Sequence, residues 1–532
     1  MAHQYHLADL FETVAATVPE RIAVQSNRLT LTFAELDARA TRLASGLAAR
    51  GIGHGDTVGL YLTNCAEHLV AYIAAVKLGA VPFNVNYRYG AEELAYLFGN
   101  AGAAALIHNA EFGPMVAALA PRLPQLRLAV ALNDGSAAAA PASVPYAELI
   151  ESAPAGPWPR HEDDILLIYT GGTTGMPKGV MWPHRAFLFA CAGGAGYFNP
   201  AGVLTCPEDI ADRAANGYPL KIFPLAPLMH GAALWAVWSA LLNGVGVVLE
   251  EGAGLDPVRA WDRVVETGAN IVQVVGDAMA IPMRDALRDN PGRWDLSRVV
   301  NFGSGGAVFS AHVKADLAAM LPPTATITDG MGSSETGISG MATPSADGVM
   351  RLPGGDNQKV VAGDRFAEVG EMGLIARSGH TPVGYYNDPE KSAEVFVTIA
   401  GRLWAVSGDA GRLDADGQIT MFGRGSTSIN SGGEKIFPEE VEEALRAHPD
   451  IRDAVVCGQP HPRWGEQVVA LVSPRAGARP GLDAVRSFLA PRLAAYKHPK
   501  ALVWLDEVRR SPAGKQDYRW ARETAAAALA EA

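Results

Sequence analysis

Short apolar runs alternate with amphipathic segments over the first hundred residues of the chain. The helix-like segments cover 34–50, 69–78 and the stretch from residue 91. Between them lie the strand-like runs LTLTF, DTVGLYL, VPFNVN and AAALI. Strands that recur after each helix are typical of a parallel sheet covered by helices on both faces. The region from residue 29 to 107 is therefore predicted to be α/β with a mainly parallel sheet.

A second set of apolar runs follows a polar connection at 151–164. The run DILLIYT (164–170) predicts the strand of a new βα segment, whereas IVQVV (271–275) and RVVNFG (298–303) lead into turns rich in glycine or serine. In open sheets of this class, ligands bind at the loops that leave the strand ends. The pattern therefore predicts a functional site at these turns.

The periodicity changes twice towards the carboxyl end. From residue 369 short strands are broken by Gly and Asp-Gly turns, which predicts a small β-rich lobe. After residue 423 a helix at 438–448, further strands and a second helix form a compact unit, and the last residues predict a helical or frayed tail. We predict a large N-terminal domain (1–423) of parallel-rich sheets covered by helices plus the β-rich lobe, and a small α+β C-terminal domain (424–532).

Composition and charge narrow the class of protein. The chain has 532 residues, more than one compact core accommodates, and its 48% hydrophobic and 19% charged residues are typical of a globular protein. A net charge of −12 without a basic run argues against nucleic acid as a partner. The four cysteines form no CxxC pair, so neither a disulfide framework nor a zinc site is predicted.

The sequence does not lead us to expect export or membrane insertion. Its N-terminus lacks a basic region followed by an apolar core. No apolar run reaches the roughly 18 residues that a membrane-spanning helix needs. We therefore expect a cytoplasmic protein without a transmembrane segment.

The stretch IYTGGTTGMPKGVMWPH (168–184) joins a buried strand to a turn rich in glycine and threonine. Such a turn offers backbone N–H groups, hydroxyl donors and φ freedom, which suit a polyphosphate. A Walker P-loop requires Gly-Lys-Ser/Thr, but Lys178 follows Pro177 and precedes Gly179, so that interpretation fails. The turn is still predicted to bind a polyanion.

The stretch closely resembles the phosphate loop of the acyl-adenylate-forming superfamily, which includes acyl-CoA synthetases, peptide-synthetase adenylation domains and luciferases. Further motifs of that family recur in order, so the resemblance covers essentially the whole chain. It implies ATP as a substrate and a mobile phosphate loop. It also implies a set of phosphate contacts, among which Thr174 counts as catalytic: Thr170, Thr173, Thr174 and Lys178.

Two glycine-rich turns resemble the adenine segments of the family. GSGGAV (303–308) resembles the turn along the adenine and the acyl carboxylate, with an ordinary turn as the alternative, and TDGMGSSETG (328–337) resembles the adenine and magnesium motif. That motif usually has Tyr and Thr where this chain has Met331 and Ser334. The resemblance implies that Glu335 binds Mg²⁺ and acts in catalysis. The implied nucleotide contacts are Gly305, Gly306, Ala307, Asp329, Gly330, Met331, Gly332, Ser333 and Ser334.

The remaining nucleotide motifs lie towards the carboxyl end. SGDAGRLDADG (407–417) resembles the segment whose aspartate, here Asp409, binds both ribose hydroxyls, and Arg424 is expected to reach the ribose or a phosphate. RRSPAGKQDYRW (509–520) resembles the motif of the adenylation lysine, so Lys515 is expected to stabilise charge on the α-phosphate. At the hinge about which the small, mobile domain of the family turns, this chain has Ser426 in place of the usual Asp or Lys.

PLAPLMHG (224–231) resembles the family segment that ends in a histidine of the acyl pocket. This resemblance implies such a place for His230, with a role among the catalytic residues. A histidine beside apolar residues is also a common core residue. Trp235 and Trp238 lie on one face of the helix that follows, either along an acyl tunnel or in the core. The residues alone leave both alternatives open.

The resemblance implies an AMP-forming acid–thiol ligase, in which a carboxylic acid, ATP and CoA give an acyl-CoA, AMP and pyrophosphate through an acyl-adenylate, with Mg²⁺ as cofactor. The phosphate loop and GSSETG most resemble bacterial ligases of medium- or long-chain fatty acids and sterol-derived acids. Loading of a separate carrier protein, a luciferase-type oxygenase and a non-catalytic nucleotide- or acyl-binding regulator are the alternatives. The expected partners are small molecules, and a homodimer is compatible with the sequence.

Overall fold

The computed structural model describes residues 4–136, 142–170, 176–196, 199, 201–252, 254–307, 309–342, 350–424, 427, 429–431, 434–461, 465–475, 477–493, 495–510 and 516–531. The helices α1 to α16 are Leu7–Thr17, Phe33–Ala48, Ala66–Lys77, Ala91–Ala101, Gly113–Leu119, Tyr146–Ile150, His184–Cys191, Asp209–Asn216, Gly231–Leu242, Pro257–Thr267, Gly276–Asp289, Ala311–Met320, Pro389–Val395, Pro438–Arg446, Leu482–Leu489 and Tyr518–Glu531. The strands β1 to β27 are Ile22–Gln25, Thr30–Thr32, Thr57–Tyr61, Val81–Asn84, Ala105–Asn109, Leu128–Leu132, Val144–Pro145, Ile165–Thr170, Lys178–Pro183, Lys221–Pro224, Gly246–Val248, Ile271–Val274, Asn301–Gly305, Thr326–Ser333, Gly337–Ala342, Arg351–Pro353, Gln358–Ala362, Arg365–Phe366, Met372–Ser378, Phe396–Ile399, Arg402–Leu413, Gln418–Arg424, Ile429–Ser431, Glu434–Ile436, Ile451–His461, Gly465–Pro474 and Ala501–Trp504.

Local capping signals set helix boundaries. Helix α2 begins after Thr32, whose Oγ1 accepts a hydrogen bond from the N–H of Glu35 at 3.2 Å, while the Glu35 carboxylate accepts one from the N–H of Thr32 at 2.8 Å. This capping box satisfies N–H groups that a helix leaves without partners at its start. Among the described helices, none combines the length and the apolar character that crossing a membrane requires.

Seven strands form one sheet, in the order β7-β6-β5-β3-β4-β8-β9. All neighbouring pairs are parallel except β8 and β9, which form an antiparallel hairpin. Every residue of β3 is buried. A strand that is covered on both faces is apolar almost throughout, which explains the run DTVGLYL. The predicted parallel sheet is therefore present between β3 and β5.

A second sheet has eight strands, in the order β15-β14-β13-β12-β10-β11-β1-β2. Its central pairs are parallel, and the two edge pairs, β14 with β15 and β1 with β2, are antiparallel. The run LTLTF supplies β2. A single βα series predicts that this strand lies beside β3, but it lies in the eight-stranded sheet instead. The local pattern missed this arrangement because β1 pairs with β11, a strand that is distant in sequence.

One hydrophobic core joins the two sheets. Its members from both sheets include Val24, Val58, Ile107 and Val247. Helix α3 belongs to this core, since every residue of the helix except Glu67 is buried. Helices that are buried on all sides belong to the interior of large domains. The two sheets and the helices between them therefore form one packed body.

The predicted β-rich lobe is an antiparallel sheet in the order β16-β22-β21-β19-β17-β18, with β20 paired to β21. Its strands β21 and β22 are connected through Asp416 and Gly417, and Gly417 has a φ of 84°. This left-handed backbone favours glycine, as the Asp-Gly signal predicted. The lobe starts earlier than predicted, since β16 begins at Arg351.

The carboxyl-terminal sheet has the order β24-β23-β26-β25, with β27 parallel to β26. Helices α14 and α15 pack on one face, around Val441 and Val485. Helix α16 packs with the other face, where Ala521 and Ala525 are buried against Cys457. The predicted tail is therefore an integral helix. The domain boundary at residues 423 and 424 remains a prediction.

Candidate active site

The turn rich in glycine and threonine connects two antiparallel strands. Strand β8 ends at Thr170, which pairs with Lys178, the first residue of β9. The structure thus has a hairpin where DILLIYT predicted a βα segment, and helix α7 begins only after β9. Thr173 and Thr174 lie outside the described residues, so their phosphate contacts remain predictions. The hairpin places Thr170 and Lys178 at the same end of the sheet.

The two predicted adenine segments lie on neighbouring parallel strands. Strand β13 ends at Gly305, which pairs with Gly330 of β14. A Cβ atom on Gly305 would lie 3.1 Å from the carbonyl oxygen of Gly330, and one on Gly332 would lie 2.1 Å from the carbonyl oxygen of Gly337. Glycine suits these positions because the backbones leave no room for a side chain at Gly332 and only a tight space at Gly305.

Four further predicted nucleotide contacts flank this strand pair. Gly306 and Ala307 follow directly after β13, and Ser333 and Ser334 lie at the end of β14. The hydroxyl of Ser333 is 3.1 Å from Oγ1 of Thr336, which fixes the turn towards β15. The structure therefore gathers both predicted segments at the carboxyl ends of adjacent strands, where ligands bind in open sheets.

Two of the predicted nucleotide contacts on β14 have partners within the protein. Asp329 is buried, and its Oδ2 lies 2.6 Å from Nζ of Lys314, a residue that sequence reasoning missed. Burial raises the pKa of Asp329, and the Lys314 ammonium opposes that effect. The side chain of Met331 packs against an apolar cluster of the β-rich lobe that includes Leu352 and Ile375. Contacts of Asp329 and Met331 with a nucleotide remain predictions.

A tyrosine outside every predicted motif connects Lys178 with Glu335. The hydroxyl of Tyr385 donates a hydrogen bond to Oε1 of Glu335 at 3.0 Å, and Nζ of Lys178 lies 5.1 Å from the centroid of the Tyr385 ring. A second contact joins the same motifs, because the indole N–H of Trp182 donates to the carbonyl oxygen of Ser334 at 2.9 Å. The structure therefore brings the phosphate-loop strand and the magnesium motif together.

Asp409 and Arg424 are paired residues of the hairpin that β21 and β22 form. The N–H of Asp409 donates to Oγ of Ser407 at 3.1 Å, and this hydroxyl donates to the carbonyl oxygen of Ile375 at 3.0 Å. These bonds hold the backbone of Asp409 on the β-rich lobe. Asp409, the predicted ribose contact, and Arg424, which is predicted to reach the ribose or a phosphate, come from separate motifs and are thus neighbours in backbone register.

A cleft of about 680 Å³ lies beside His230, the predicted acyl-pocket residue at the start of helix α9. This volume is within the range of small-molecule sites. Part of its lining is apolar, and charged side chains of both signs, among them Asp277, Asp285, Arg452 and Arg510, line the rest. The apolar residues include Leu225, Val275, Met279, Ile281 and Pro282. Trp238, in contrast, is buried against Tyr72, with ring centroids 5.8 Å apart, so it is a core residue.

Two family models match the chain. The model described as AMP-binding enzyme matches residues 11–373, and the model described as AMP-binding enzyme C-terminal domain matches residues 440–515. The chain belongs to the AMP-binding enzyme family. The family expected from the motifs is thereby confirmed.

Curated relatives of this AMP-binding enzyme match almost its whole length. The medium/long-chain-fatty-acid–CoA/3-oxocholest-4-en-26-oate–CoA ligase of Mycobacterium marinum is 42% identical, over 98% of this chain and 97% of its own. The 3-oxocholest-4-en-26-oate–CoA ligase of Rhodococcus rhodochrous is 40% identical, over 97% and 95%. These names agree with the expected class, an acid–thiol ligase.

A solved structure shows the same fold. The anthranilate CoA ligase AuaEII, crystallised in complex with anthranoyl-AMP, superposes with a TM-score of 0.82, and the match covers 99% of each chain. Its sequence identity of 23% supports the fold and nothing finer. The α/β fold with a β-rich lobe and a small C-terminal unit, which the sequence predicted, is confirmed.

Lys515 and Ser426 lie outside the described residues of this AMP-binding enzyme, so the roles predicted for them stay predictions. The residues that flank the predicted adenylation lysine are well anchored. Arg510 forms a β-bridge with Gln516 and an ion pair with Asp453, in which Nη2 lies 2.5 Å from Oδ1. Nε2 of Gln516 also donates to a carboxylate oxygen of Glu442 at 3.0 Å. The flanks of the lysine motif are therefore held on the C-terminal sheet.

The donor atoms suit a Mg²⁺ ion that binds together with a nucleotide. No cluster of three or more His, Cys, Asp or Glu side chains that could hold a metal ion occurs in the described part of the chain. In nucleotide sites Mg²⁺ is typically held by one or two carboxylates together with phosphate oxygens of the substrate. Glu335 is half-buried and offers such a carboxylate, which Tyr385 orients. The expected ion therefore fits the residues present.

Proposed function

We propose that this AMP-binding enzyme is an ATP-dependent acyl-CoA ligase. It converts a carboxylic acid, ATP and CoA into an acyl-CoA, AMP and pyrophosphate. The observation that carries the proposal is the 42% identity, over 98% of the chain, with a relative that is named a CoA ligase. The meeting of Lys178 and Glu335 at one end of the sheet supports it, because a polyphosphate and its Mg²⁺ ion need charges of both signs.

The first half-reaction gives the acid a better leaving group. A carboxylate oxygen attacks the α-phosphorus of ATP, the bond from that phosphorus to the bridging oxygen breaks, and pyrophosphate leaves with the electron pair. In the proposal Lys178 binds the departing phosphates and Asp409 accepts hydrogen bonds from the ribose. Glu335 would hold Mg²⁺, which would offset the negative charge of the phosphates. Lys515 stabilises the negative charge that grows on phosphorus. Binding and orientation thus supply the catalysis without a protein nucleophile.

The second half-reaction transfers the acyl group to sulfur. The CoA thiol gives its proton to solvent, the sulfur attacks the acyl carbon, and AMP leaves with the electron pair of the broken C–O bond. In the proposal the C-terminal domain turns between the two steps, withdraws Lys515 and presents the loop at 431–435. One site thereby performs two reactions in sequence.

The acid that we propose is a medium- or long-chain fatty acid or a sterol-derived acid. The apolar part of the cleft beside His230, which includes Leu225, Met279 and Ile281, supports a bulky apolar acyl group. Burial of apolar surface favours binding by about 25 cal/mol per Å². The names of the Mycobacterium and Rhodococcus relatives point to the same two classes of acid.

The test offers a panel of fatty, aromatic and steroid acids to the purified protein with ATP and Mg²⁺. We expect acid-dependent ATP–pyrophosphate exchange, strongest with the apolar aliphatic or steroid acids, and a CoA ester by mass spectrometry once CoA is added. Absence of acid-dependent exchange across all three classes would reject the ligase activity.

The same assay distinguishes the alternatives. Exchange that proceeds while CoA is not consumed, together with transfer of the acyl group to the phosphopantetheine arm of a carrier protein, would replace CoA as the acceptor. Binding of ATP and acid without any exchange would indicate a regulator. Each alternative therefore predicts a different combination of exchange and product.

A further inference from the structure

The segment that carries Tyr385 lies along β9, the edge strand of the sheet β7-β6-β5-β3-β4-β8-β9. The N–H of Met181 in β9 donates to the carbonyl oxygen of Gly384 at 2.9 Å, and the N–H of Val383 donates to the carbonyl oxygen of Met181 at 3.0 Å. The N–H of Tyr386 donates to the carbonyl oxygen of Gly179 at 2.7 Å. This short antiparallel pairing holds Tyr385 opposite β9, next to Lys178 at the beginning of that strand.

The other side of Tyr385 is fixed as well. Its N–H donates to Oγ of Ser392 at 2.8 Å, and that hydroxyl donates to the carbonyl oxygen of Asp388 at 2.7 Å. The ring meets the ring of Phe396 edge to face, with centroids 5.5 Å apart. The residue is only 5% exposed. A buried ring held from two sides has a well-defined position.

Tyr385 contacts one charge with its hydroxyl and the other with its ring. The hydroxyl donates to Glu335, and the ring faces the ammonium group of Lys178. Among the residues that the structure describes, no ion pair joins Lys178 directly to Glu335. Two opposite charges this close to a common neighbour would otherwise attract each other and neutralise the charge that each offers to a ligand. A neutral side chain that satisfies both groups keeps the charges apart.

We propose that Tyr385 is a positioning residue, which holds Glu335 and Lys178 apart and oriented so that the carboxylate binds Mg²⁺ and the ammonium binds the phosphates; this role rests on the proposed function. A hydrogen bond to one carboxylate oxygen leaves acceptor sites on Glu335 for a cation. Substitution of a residue that hydrogen-bonds a metal-binding side chain typically lowers metal affinity or activity by about 10- to 100-fold. The ring face attracts the Lys178 ammonium without neutralising it.

The test compares Tyr385→Phe, Tyr385→Leu and the matched control Tyr386→Phe, all in the full chain. Calorimetry measures the affinity for ATP with Mg²⁺ and with EDTA, and the ratio of the two is the gain due to Mg²⁺. We expect Tyr385→Phe to reduce this gain by about 10-fold and to leave binding in EDTA unchanged, because the bond to Glu335 is lost while the ring that faces Lys178 remains. Tyr385→Leu is expected to weaken binding in EDTA as well, since Lys178 loses the ring. Tyr386→Phe should match the wild type.

A double-mutant cycle with Glu335→Gln separates positioning from general stability. In the Glu335→Gln background, Tyr385→Phe should no longer change the gain due to Mg²⁺. Persistence of the full effect there, an unchanged gain in Tyr385→Phe, or an equal loss in Tyr386→Phe would overturn the role. If Tyr385→Phe does not fold, Ser392→Ala, which removes the bond to the Tyr385 backbone, should lower the gain in the same direction, and an unchanged gain would overturn the role.

The two proposals can fail separately. Wild-type protein that forms a CoA ester while Tyr385→Phe keeps the full gain would remove the role of Tyr385 alone. Wild-type protein that binds ATP more tightly with Mg²⁺ but forms no adenylate with any acid would remove the ligase function alone, and the binding experiment would still decide the role of Tyr385.

Discussion

The nucleotide-binding end of the site and the acyl cleft are built in different ways. At the nucleotide end, backbones approach so closely that Gly332 has no room for a side chain and Gly305 has little, and the Glu335 carboxylate is held by a specific hydrogen bond. The cleft beside His230 has charged lining residues such as Asp285 and Arg510, but the part that Leu225 and Met279 line is apolar and is constrained mainly by volume. Residue type is therefore demanding at one end and permissive at the other.

The strongest test of this contrast is Lys515→Ala. Acid-dependent pyrophosphate exchange is expected to fall by about 10²- to 10³-fold, because the charge that stabilises the transition state is lost. Thioester formation from pre-made acyl-adenylate should be largely retained, since the second step does not use that charge. The exposed Lys500→Ala is the control, and equal losses in both assays would contradict the role of Lys515.

The second prediction concerns the stability of the folded core that supports both ends of the site, and it depends on the buried residue His68. It is fully buried in α3, and burial lowers its pKa from 6.5 to about 4. The unfolded chain therefore takes up the proton first, so the free energy of unfolding should fall by about 3 kcal/mol as the pH drops from about 6.5 to about 4. His68→Leu should reduce this dependence in urea titrations at the two pH values.

The control for this prediction is His161→Leu, because His161 is exposed. It should keep the wild-type dependence on pH. His184 is buried likewise and burial lowers its pKa, so His68→Leu should retain a smaller acid sensitivity. An unchanged pH dependence in His68→Leu would show that His68 does not carry the effect.

Gly332→Ala tests the close backbone approach at the nucleotide end. The added Cβ atom would lie 2.1 Å from a carbonyl oxygen, so β14 and β15 must separate. We expect ATP affinity to fall by about 30-fold, which corresponds to about 2 kcal/mol of overpacking. Gly355→Ala faces open space and should bind ATP within about twofold of the wild type. Calorimetric titration of both variants decides the matter, and wild-type affinity in Gly332→Ala would refute the argument.

Met279→Ala tests the permissive end and should have the smallest effect. Enlarging the cleft is expected to change the ratio of kcat/KM between a long and a short acid by about tenfold, because one pocket contact discriminates by little more. The KM for ATP should stay unchanged. Met320→Ala, at an exposed position of α12, is the matched control. A shift in the KM for ATP as large as the shift in acid preference would contradict the proposed difference between the nucleotide end and the acyl cleft.

Several parts of the fold could be predicted because their signals are local. The Asp-Gly turn at 416–417 and the helix at 438–446 result from neighbouring residues. Lys314, which pairs with Asp329, could not be predicted, because it lies on a helix whose place beside β14 depends on packing. The same holds for α16, whose alanines resemble a tail until they meet the C-terminal sheet.

The sequence by itself determined the family, the α/β class and the glycine-rich segments, because these depend on backbone conformations and chemical groups that few residues supply. Only the tertiary structure decided that β2 leaves the series of β3 to β5, that the threonine turn closes a hairpin, and that Tyr385 stands between Lys178 and Glu335. The reason is physical: pairing between distant strands depends on the free energy of the whole packed core, and no short stretch of residues carries that information.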